Sequence, residues 1–403
     1  MPTKSGTTQM NCIYEGSVKR VWQPAAKPDR LWFEFTDDYS VFDWGKMPDT
    51  IADKGKALTA FGAYFFQQLS KKEFWQSLNS MPVLQQQLNQ DWWQKRTKHP
   101  VFAGLQKSGL PSHFIDLVDE TGSKLPLKSL PACDRAFLEV VRAHVPKVSP
   151  ASLNGQTIYY YPLDSHRETT RLVPLEVVFR FGMPSGSSLK ARLEKNPQYA
   201  RQLGLTEVPR EGKWFDRPVL EFFTKLEPKD RLLTLQEAVN ISTLSVEQFE
   251  ELSELALAAA VGLFALFAER GIELWDGKFE FIISDGKLLL ADSIGPDELR
   301  LISSGAHLSK EFIRQIYRDT AWEKAIKEAQ NIATGRGADN WKQVCTEELG
   351  KTPDPLDAPS KALADALYPS LFNTVAGEAV FSGQPELVEL SHKLNSFIGG
   401  KQK

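Results

Sequence analysis

The sequence predicts an α+β fold in which mostly antiparallel strands are grouped apart from helices, and three observations carry that prediction. Apolar runs of strand length cluster near the N-terminus and recur between 156 and 224. A long amphipathic helix follows them, and the strand pair after it holds Asp285-Gly286, a strong hairpin signal and therefore a sign of antiparallel neighbours. Regular alternation of single strands with helices would instead indicate a doubly wound parallel sheet.

Residues 10–70 read as β-rich. The stretches 11–14, 18–22 and 31–36 alternate or cluster apolar residues, and 56–69 continues with helical spacing. Residues 71–101 carry Trp75, Trp92, Trp93 and many glutamines in a helical pattern, expected as an insertion packed on the surface. A helix is expected near 133–145, strands at 156–161 and 172–181, a polar helical excursion over 183–217, and a strand at 219–224. Ser245 and Gln248 make a capping box. Phe249, Leu252, Leu255, Ala256, Ala259, Leu263, Leu266 and Phe267 then recur at helical spacing until Gly271 stops the helix. After the hairpin, 309–330 reads as one helix starting at Ser309, 334–339 as a loop, 353–359 as a linker, and the regions around 360–372 and 384–398 as terminal helices. The division that follows is a β-rich N-terminal lobe over 1–115 with the 71–101 insertion, a mixed α/β central lobe over 116–308, and a C-terminal helical region over 309–403.

The hairpin places charge where a strand pair normally has a plain polar face. A two-residue loop would pair Phe279 with Asp292 and mix the faces, whereas a three-residue loop, Ser284-Asp285-Gly286 with Gly286 left-handed, keeps parity across the turn. The three-residue turn is therefore expected, with Asp276, Lys278, Glu280 and Asp292 on one side and Phe279, Phe281, Ile283, Leu289 and Ala291 toward a core. Three carboxylates and a lysine among apolar neighbours repel one another unless a cation sits among them, and such oxygen-rich clusters suit Mg²⁺. A solvated outer face is the alternative.

Composition excludes several classes. With 48 Lys+Arg against 51 Asp+Glu, the 403-residue chain has a net charge of −3, so no basic field points to nucleic acid or to a membrane surface. Cys12, Cys133 and Cys345 are far apart, form no CxxC pair, and are each expected as a small buried residue in a reducing compartment. Met1–Gly6 lacks the apolar core of a signal peptide, and the apolar run 255–268 is shorter than the ~20 residues that span a bilayer, so the expected location is the cytoplasm. No Walker loop, GxGxxG, HExxH or GxSxG motif is present.

The chemistry must come from shorter constellations. Tyr14-Glu-Gly16-Ser17-Val-Lys19 lies between two strand patterns, where Gly16 lets backbone approach a ligand and Lys19 is placed for a phosphate; a plain hairpin turn is the alternative. Asp37-Asp38-Tyr-Ser40-Val-Phe-Asp43 closes a strand with three carboxylates and a hydroxyl, or is simply an Asp/Ser turn. In Pro174-Leu-Glu176-Val-Val-Phe-Arg180, Glu176 and Arg180 share a strand face opposite Leu175, Val177 and Phe179. The Gly186-Ser187-Ser188 loop that follows offers N–H groups and hydroxyls to an anion. Lys225 ends the next strand, reaching either solvent or a phosphate.

Taken in order, these stations and the hairpin resemble the SAICAR synthetase (phosphoribosylaminoimidazole-succinocarboxamide synthase) family. The resemblance rests on Tyr14 to Lys19, Asp38 to Asp43 with Lys54-Gly55, Pro174 to Ser187, Thr224-Lys225, Asp276 to Arg300 through Pro296-Asp297, and Ser309 to Arg314. It implies an ATP-grasp-related fold and an enzyme that uses ATP to join L-aspartate to carboxyaminoimidazole ribotide (CAIR). SAICAR, ADP and phosphate would form through an acyl phosphate. It further implies that Gly16, Ser17, Lys19, Glu280 and Asp292 bind ATP, that Glu280 and Asp292 hold Mg²⁺, and that Lys278, Lys225 and Asp276 serve catalysis. Asp38, Ser40, Asp43, Arg180, Ser187 and Arg300 would bind substrate. Its implied partners are small molecules (CAIR, L-aspartate and ATP), and it allows a homo-oligomer. The chain departs from the family pattern at Ser17 (usually lysine), Ser293 (usually glutamate) and Trp44, which interrupts the usual Asp-Gly after Asp43. It also has extra material near 71–101, 123–165, 188–215 and 330–403. A family ligase using another amine or acid is the nearest alternative. A kinase-like phosphotransferase is more distant, because the sequence has neither a His-Arg-Asp loop nor Asp-Phe-Gly.

Overall fold

The computed structural model describes residues 8–162 and 167–401. Met1–Gly6, and residues 163–165 of the extra 123–165 material, lie outside the described residues.

The N-terminal sheet contains β1 (Met10–Glu15), β2 (Lys19–Pro24), β3 (Arg30–Phe35), β4 (Phe114–Asp119) and β5 (Ala136–Val141), in the order β1-β2-β3-β5-β4, with every neighbouring pair antiparallel. β5 corrects the helix expected near 133–145. Its Phe137, Leu138, Glu139 and Val140 are all buried, and a strand covered on both faces shows a continuous apolar run that periodicity cannot separate from a buried helix. The sheet also overruns the lobe boundary expected at 115, which falls inside β4. Helix Lys54–Leu69 lies against this sheet. Gly55 permits the close approach, since a Cβ there would sit 2.4 Å from the Phe35 carbonyl oxygen.

β6 (Ser149–Leu153) and β7 (Gln156–Tyr160) form a separate hairpin. The central sheet is built from β8 (Thr170–Leu172), β9 (Leu175–Met183), β10 (Lys213–Thr224), β11 (Glu273–Ser284), β12 (Lys287–Ala291), β13 (Leu299–Ser303) and β14 (Ala306–His307). Its path is β10-β9-β11-β13-β14, with β8 and β12 flanking the far half of β11. β10 starts at Lys213, earlier than the expected 219, and is bulged between Trp214 and Val219. The expected helical excursion therefore shrinks to two short helices, Ser188–Lys195 and Tyr199–Gln202.

Helix Val246–Ala268 has the expected capping box and crosses the back of the central sheet. By length and composition it would suit a bilayer, yet sheet and helices cover it within the protein. Its outer cover comes from the segment expected as a surface insertion, which folds into short helices between Lys72 and Ser108. Trp75 and Trp93 of that segment are buried and Arg96 pairs with Glu254 at 2.8 Å, so it is a layer of the core.

The single helix expected over 309–330 is two, Lys310–Tyr317 and Ala321–Gly335. The break sits at Asp319 (φ 62), where Thr320 caps the second helix by accepting the Glu323 N–H. That capping pair lies inside an apolar pattern that runs on unbroken. The terminal helices are Ala358–Ala376 and Leu387–Lys401, and Phe372 of the first meets Phe61 edge-on at 5.1 Å. Of the cysteines only Cys345 is buried; Cys133 is half-buried and Cys12 exposed on the edge strand β1.

Candidate active site

The charged residues of β11 owe their placement to pairing and to one unusual backbone angle. Ser284 pairs with Lys287, so the turn has two residues, Asp285 (φ 48) and Gly286 (φ 78), as in a type I′ hairpin, and the expected three-residue turn is wrong. Ala291 then lies opposite Glu280, and Leu288 and Leu290 take the core positions beside Ile283 and Phe281 that had been expected for Leu289 and Ala291. One further step of pairing would put Asp292 on the core side. Asp292 instead adopts φ 62, a left-handed conformation that aspartate tolerates better than most residues, and its carboxylate reaches the charged face after all. His113 holds this kink, since its Nε2–H donates to the Asp292 carbonyl at 3.0 Å while its ring packs on Phe33 and Phe66. Burial lowers the imidazole pKa to about 4, which keeps the ring neutral.

A network of alternating charges spreads from that point. Lys19, at the start of β2, pairs with Asp292 and lies 4.5 Å from the centre of the Phe33 ring. Lys278 Nζ reaches Glu176 and Glu280 at 3.0 Å each and Glu298 at 3.5 Å. Lys225 Nζ reaches Glu280 at 2.6 Å and Glu176 at 3.0 Å. Three ammonium groups thus face four carboxylates. Burial and the neighbouring Asp292 charge push the Glu280 carboxyl up, although Lys278 and Lys225 oppose this. Burial works the same way on Asp292, but Lys19 and Lys278 outweigh it and hold that carboxyl well below the usual range. Burial opposes the charged form of Lys278 too, yet the surrounding carboxylates keep it protonated.

Farther along the same strand face, Asp276 belongs to a second cluster. Arg180 donates to Glu221 at 2.5 Å and to Asp276 at 2.7 Å, and with 5% of its surface exposed it is sealed between them. Arg192 and Tyr199 complete the Glu221 carboxylate at 2.8 Å each. Arg300 approaches Asp276 at 3.6 Å and donates to the Ser185 carbonyl at 3.3 Å. Ser187 caps the helix Ser188–Lys195, its Oγ accepting the Leu189 N–H at 3.4 Å. In this structure Arg180 and Ser187 are thus engaged with the protein itself, whereas Arg300 lies at the edge of the cluster.

The N-terminal lobe supplies the rim. Gly16 and Ser17 form the β1–β2 turn, where the Gly16 N–H bonds the Lys19 carbonyl at 2.8 Å. Asp38 accepts from Thr36 Oγ1 at 2.9 Å and pairs with Lys46 at 3.3 Å, and Ser40 is buried. Asp43 is exposed in a left-handed conformation (φ 57). It is close enough to Asp230 to affect its ionisation: burial first, then the charges of Glu176 and Asp43, push the Asp230 carboxyl up against the opposing Lys225 and Lys278. Lys19, Lys225, Lys278, Glu280 and Asp292 therefore meet in one place, while Arg180, Asp276, Ser187 and Arg300 form an adjoining group.

Glu176, Glu298, His113 and Glu221 were not among the expected site residues. Glu176 had the right strand parity beside Arg180, and Glu298 follows directly on Pro296-Asp297, so sequence signals existed for both. His113 and Glu221 had none, because a lone histidine and a strand glutamate gain meaning only from what folds against them.

A family model described as SAICAR synthetase matches residues 12–329. A protein of Archaeoglobus fulgidus, provisionally named a phosphoribosylaminoimidazole-succinocarboxamide synthase, is 31% identical over 388 residues, covering 95% of this chain and 99% of its own. The phosphoribosylaminoimidazole-succinocarboxamide synthase of Thermoplasma acidophilum is 25% identical over 331 residues, covering 80% of this chain and 88% of its own. Among solved structures, the SAICAR synthase of Saccharomyces cerevisiae complexed with SAICAR aligns with a TM-score of 0.54 at 18% identity, over 95% of this chain and 99% of that one, a likeness of fold.

Proposed function

Because the chain belongs to the SAICAR synthetase family, we propose that it is an ATP-dependent carboxylate–amine ligase of purine biosynthesis that joins L-aspartate to CAIR, giving SAICAR, ADP and phosphate. The observation that carries this reading is the half-buried meeting of Lys19, Lys225 and Lys278 with Glu176, Glu280, Asp292 and Glu298 around one strand. Phosphoryl transfer needs cations fixed where charge builds up, in a site that admits little water.

The donor set also fits Mg²⁺. Glu280 and Asp292 offer hard oxygen ligands close enough that the Asp292 charge acts on the Glu280 carboxyl. Among the described residues no group of three or more metal-ligating side chains occurs, and Mg²⁺ is commonly held by one or two carboxylates with phosphate oxygens completing its shell. Bound there, the ion would neutralise charge on the phosphoryl oxygens.

The remaining roles belong to side chains. Lys19 would hold the ATP phosphates, with Gly16 and Ser17 beside them. Lys278 and Lys225, kept protonated by the carboxylates around them, would stabilise the moving phosphoryl group or the ribotide carboxylate. In the two chemical steps, a ribotide carboxylate oxygen attacks the γ-phosphorus and ADP leaves; the aspartate amine then attacks the acyl carbon, releasing phosphate and a proton. Asp230, with its raised pKa, is suited to receive that proton. Asp38, Ser40 and Asp43 would line the ribotide side, while Arg300 would meet a phosphate or carboxylate at the edge of the Asp276 cluster. The test is phosphate release from ATP: it should require both L-aspartate and CAIR, and release that ignores either, or that prefers another amine, would overturn the reading.

A further inference from the structure

The loop that carries Asp43 is held in an unusual way. Phe42 (φ 53) and Asp43 (φ 57) are successive non-glycine residues in the left-handed region, and Gly45 (φ 101) follows. Such a pair persists only where its surroundings fix it, and here those surroundings come from the far end of the chain. The Trp44 ring meets Trp322 edge-on at 5.5 Å and 82°, and Trp341 at 5.9 Å and 61°, while the Phe42 ring lies 5.9 Å from Trp322. Both neighbours of Asp43 are therefore gripped by aromatic rings of the C-terminal region, and Asp43 itself stays exposed. The grip is anchored in turn. Trp322 is buried and packs on Tyr317 at 5.4 Å, and the Tyr317 hydroxyl bonds the Asp354 carbonyl and the Tyr39 hydroxyl at 2.8 Å each.

We propose that Trp44 is a positioning residue: seated against Trp322 and Trp341, it fixes the 41–47 loop so that Asp43 is held toward the ribotide. The C-terminal helical region thereby becomes a working part of the substrate site. The inference rests on the reading of Asp43 as a ribotide-side residue. A glycine at 44 would forfeit the ring contacts with Trp322 and Trp341 and leave the loop free to move. Edge-on aromatic contacts hold it by packing, without a charge that would compete for the ligand.

The experiment combines amide hydrogen exchange with kinetics on the full chain, using Trp44→Gly, Trp322→Ala and the conservative Trp44→Phe. In the first two variants, exchange at residues 41–47 should rise about tenfold or more, and the KM for CAIR should rise by a similar factor while that for ATP stays within about twofold. Trp44→Phe should recover most of both. Unchanged exchange in Trp44→Gly and Trp322→Ala would overturn the clamp, and faster exchange with an unchanged CAIR KM would overturn its role in positioning. If the native enzyme does not turn over CAIR with L-aspartate, the functional reading fails separately, and exchange at 41–47 still decides whether the clamp exists. Should Trp322→Ala not fold, Trp44→Gly and Trp44→Phe decide it alone.

Discussion

Arg180 offers the sharpest test of how the central sheet tolerates buried charge. Replacing it with methionine keeps much of the side-chain volume but removes the cation between Glu221 and Asp276. Removing one partner of a buried ion pair typically costs about 3–5 kcal/mol, because a desolvated charge is left behind. The lower end applies here, since Glu221 keeps Arg192 and Tyr199 at 2.8 Å and Asp276 keeps Arg300 at 3.6 Å. About 3 kcal/mol should therefore be lost in urea unfolding at pH 7. Acid provides a second check. Burial favours protonating Glu221, but Arg180 and Arg192 outweigh it and hold its carboxyl below the usual range. A depressed carboxylate contributes stability above its unfolded pKa, near 4.5, and loses it as the pH falls through the folded value. The variant has less of this to lose, so the gap from the native protein should narrow as the pH falls below about 4.5. A loss below about 1 kcal/mol at neutral pH, or a gap that widens in acid, would refute the buried-triad account.

Other expectations follow from single contacts. Asp292→Asn should keep the fold, because asparagine accepts a left-handed φ and retains the carbonyl that His113 bonds. ATP-dependent turnover should nevertheless fall by at least about a hundredfold, and full activity would remove Asp292 from the metal site. Gly277→Ala would bring a Cβ to 2.5 Å from Leu299 Cδ2 and 2.7 Å from Phe179 Cζ, for a loss of about 1–3 kcal/mol; an unchanged urea midpoint would show that the sheet yields there. Thr320→Ala should cost about 1 kcal/mol by removing the cap of helix Ala321–Gly335, measured by urea unfolding, and no change would mean the break at Asp319 does not depend on that cap.

Most of the architecture was legible from periodicity and punctuation, as the helix from Val246 to Ala268 shows with its capping box and Gly271 stop. β5 was illegible because burial on both sides removes the alternation that marks a strand. The hairpin is more instructive. Parity arguments grouped Asp276, Lys278, Glu280 and Asp292 on one side, and the structure brings Asp292 to Glu280, but by a backbone kink at residue 292 in place of a longer turn. Sequence patterns constrain which side chains share a face far better than they reveal the local geometry that brings them there. The sealed state of Arg180 was likewise beyond reach, because its partner Glu221 stands on a strand 41 residues later with no motif to announce it.

The pairing of Lys19 with Asp292 spans 273 positions in the chain. At ~5–20 residues per second, a ribosome adds that much chain in roughly 14–55 s, so the lysine emerges long before its counter-charge exists. The five-stranded sheet has all its strands once Val141 is out, and Lys19 then waits on a formed surface beside an unfilled place. Arrival of the 276–292 hairpin is thus the event that gives Lys19 its counter-charge. A nascent chain arrested short of Asp292 should show a protease-resistant N-terminal sheet yet retain no nucleotide.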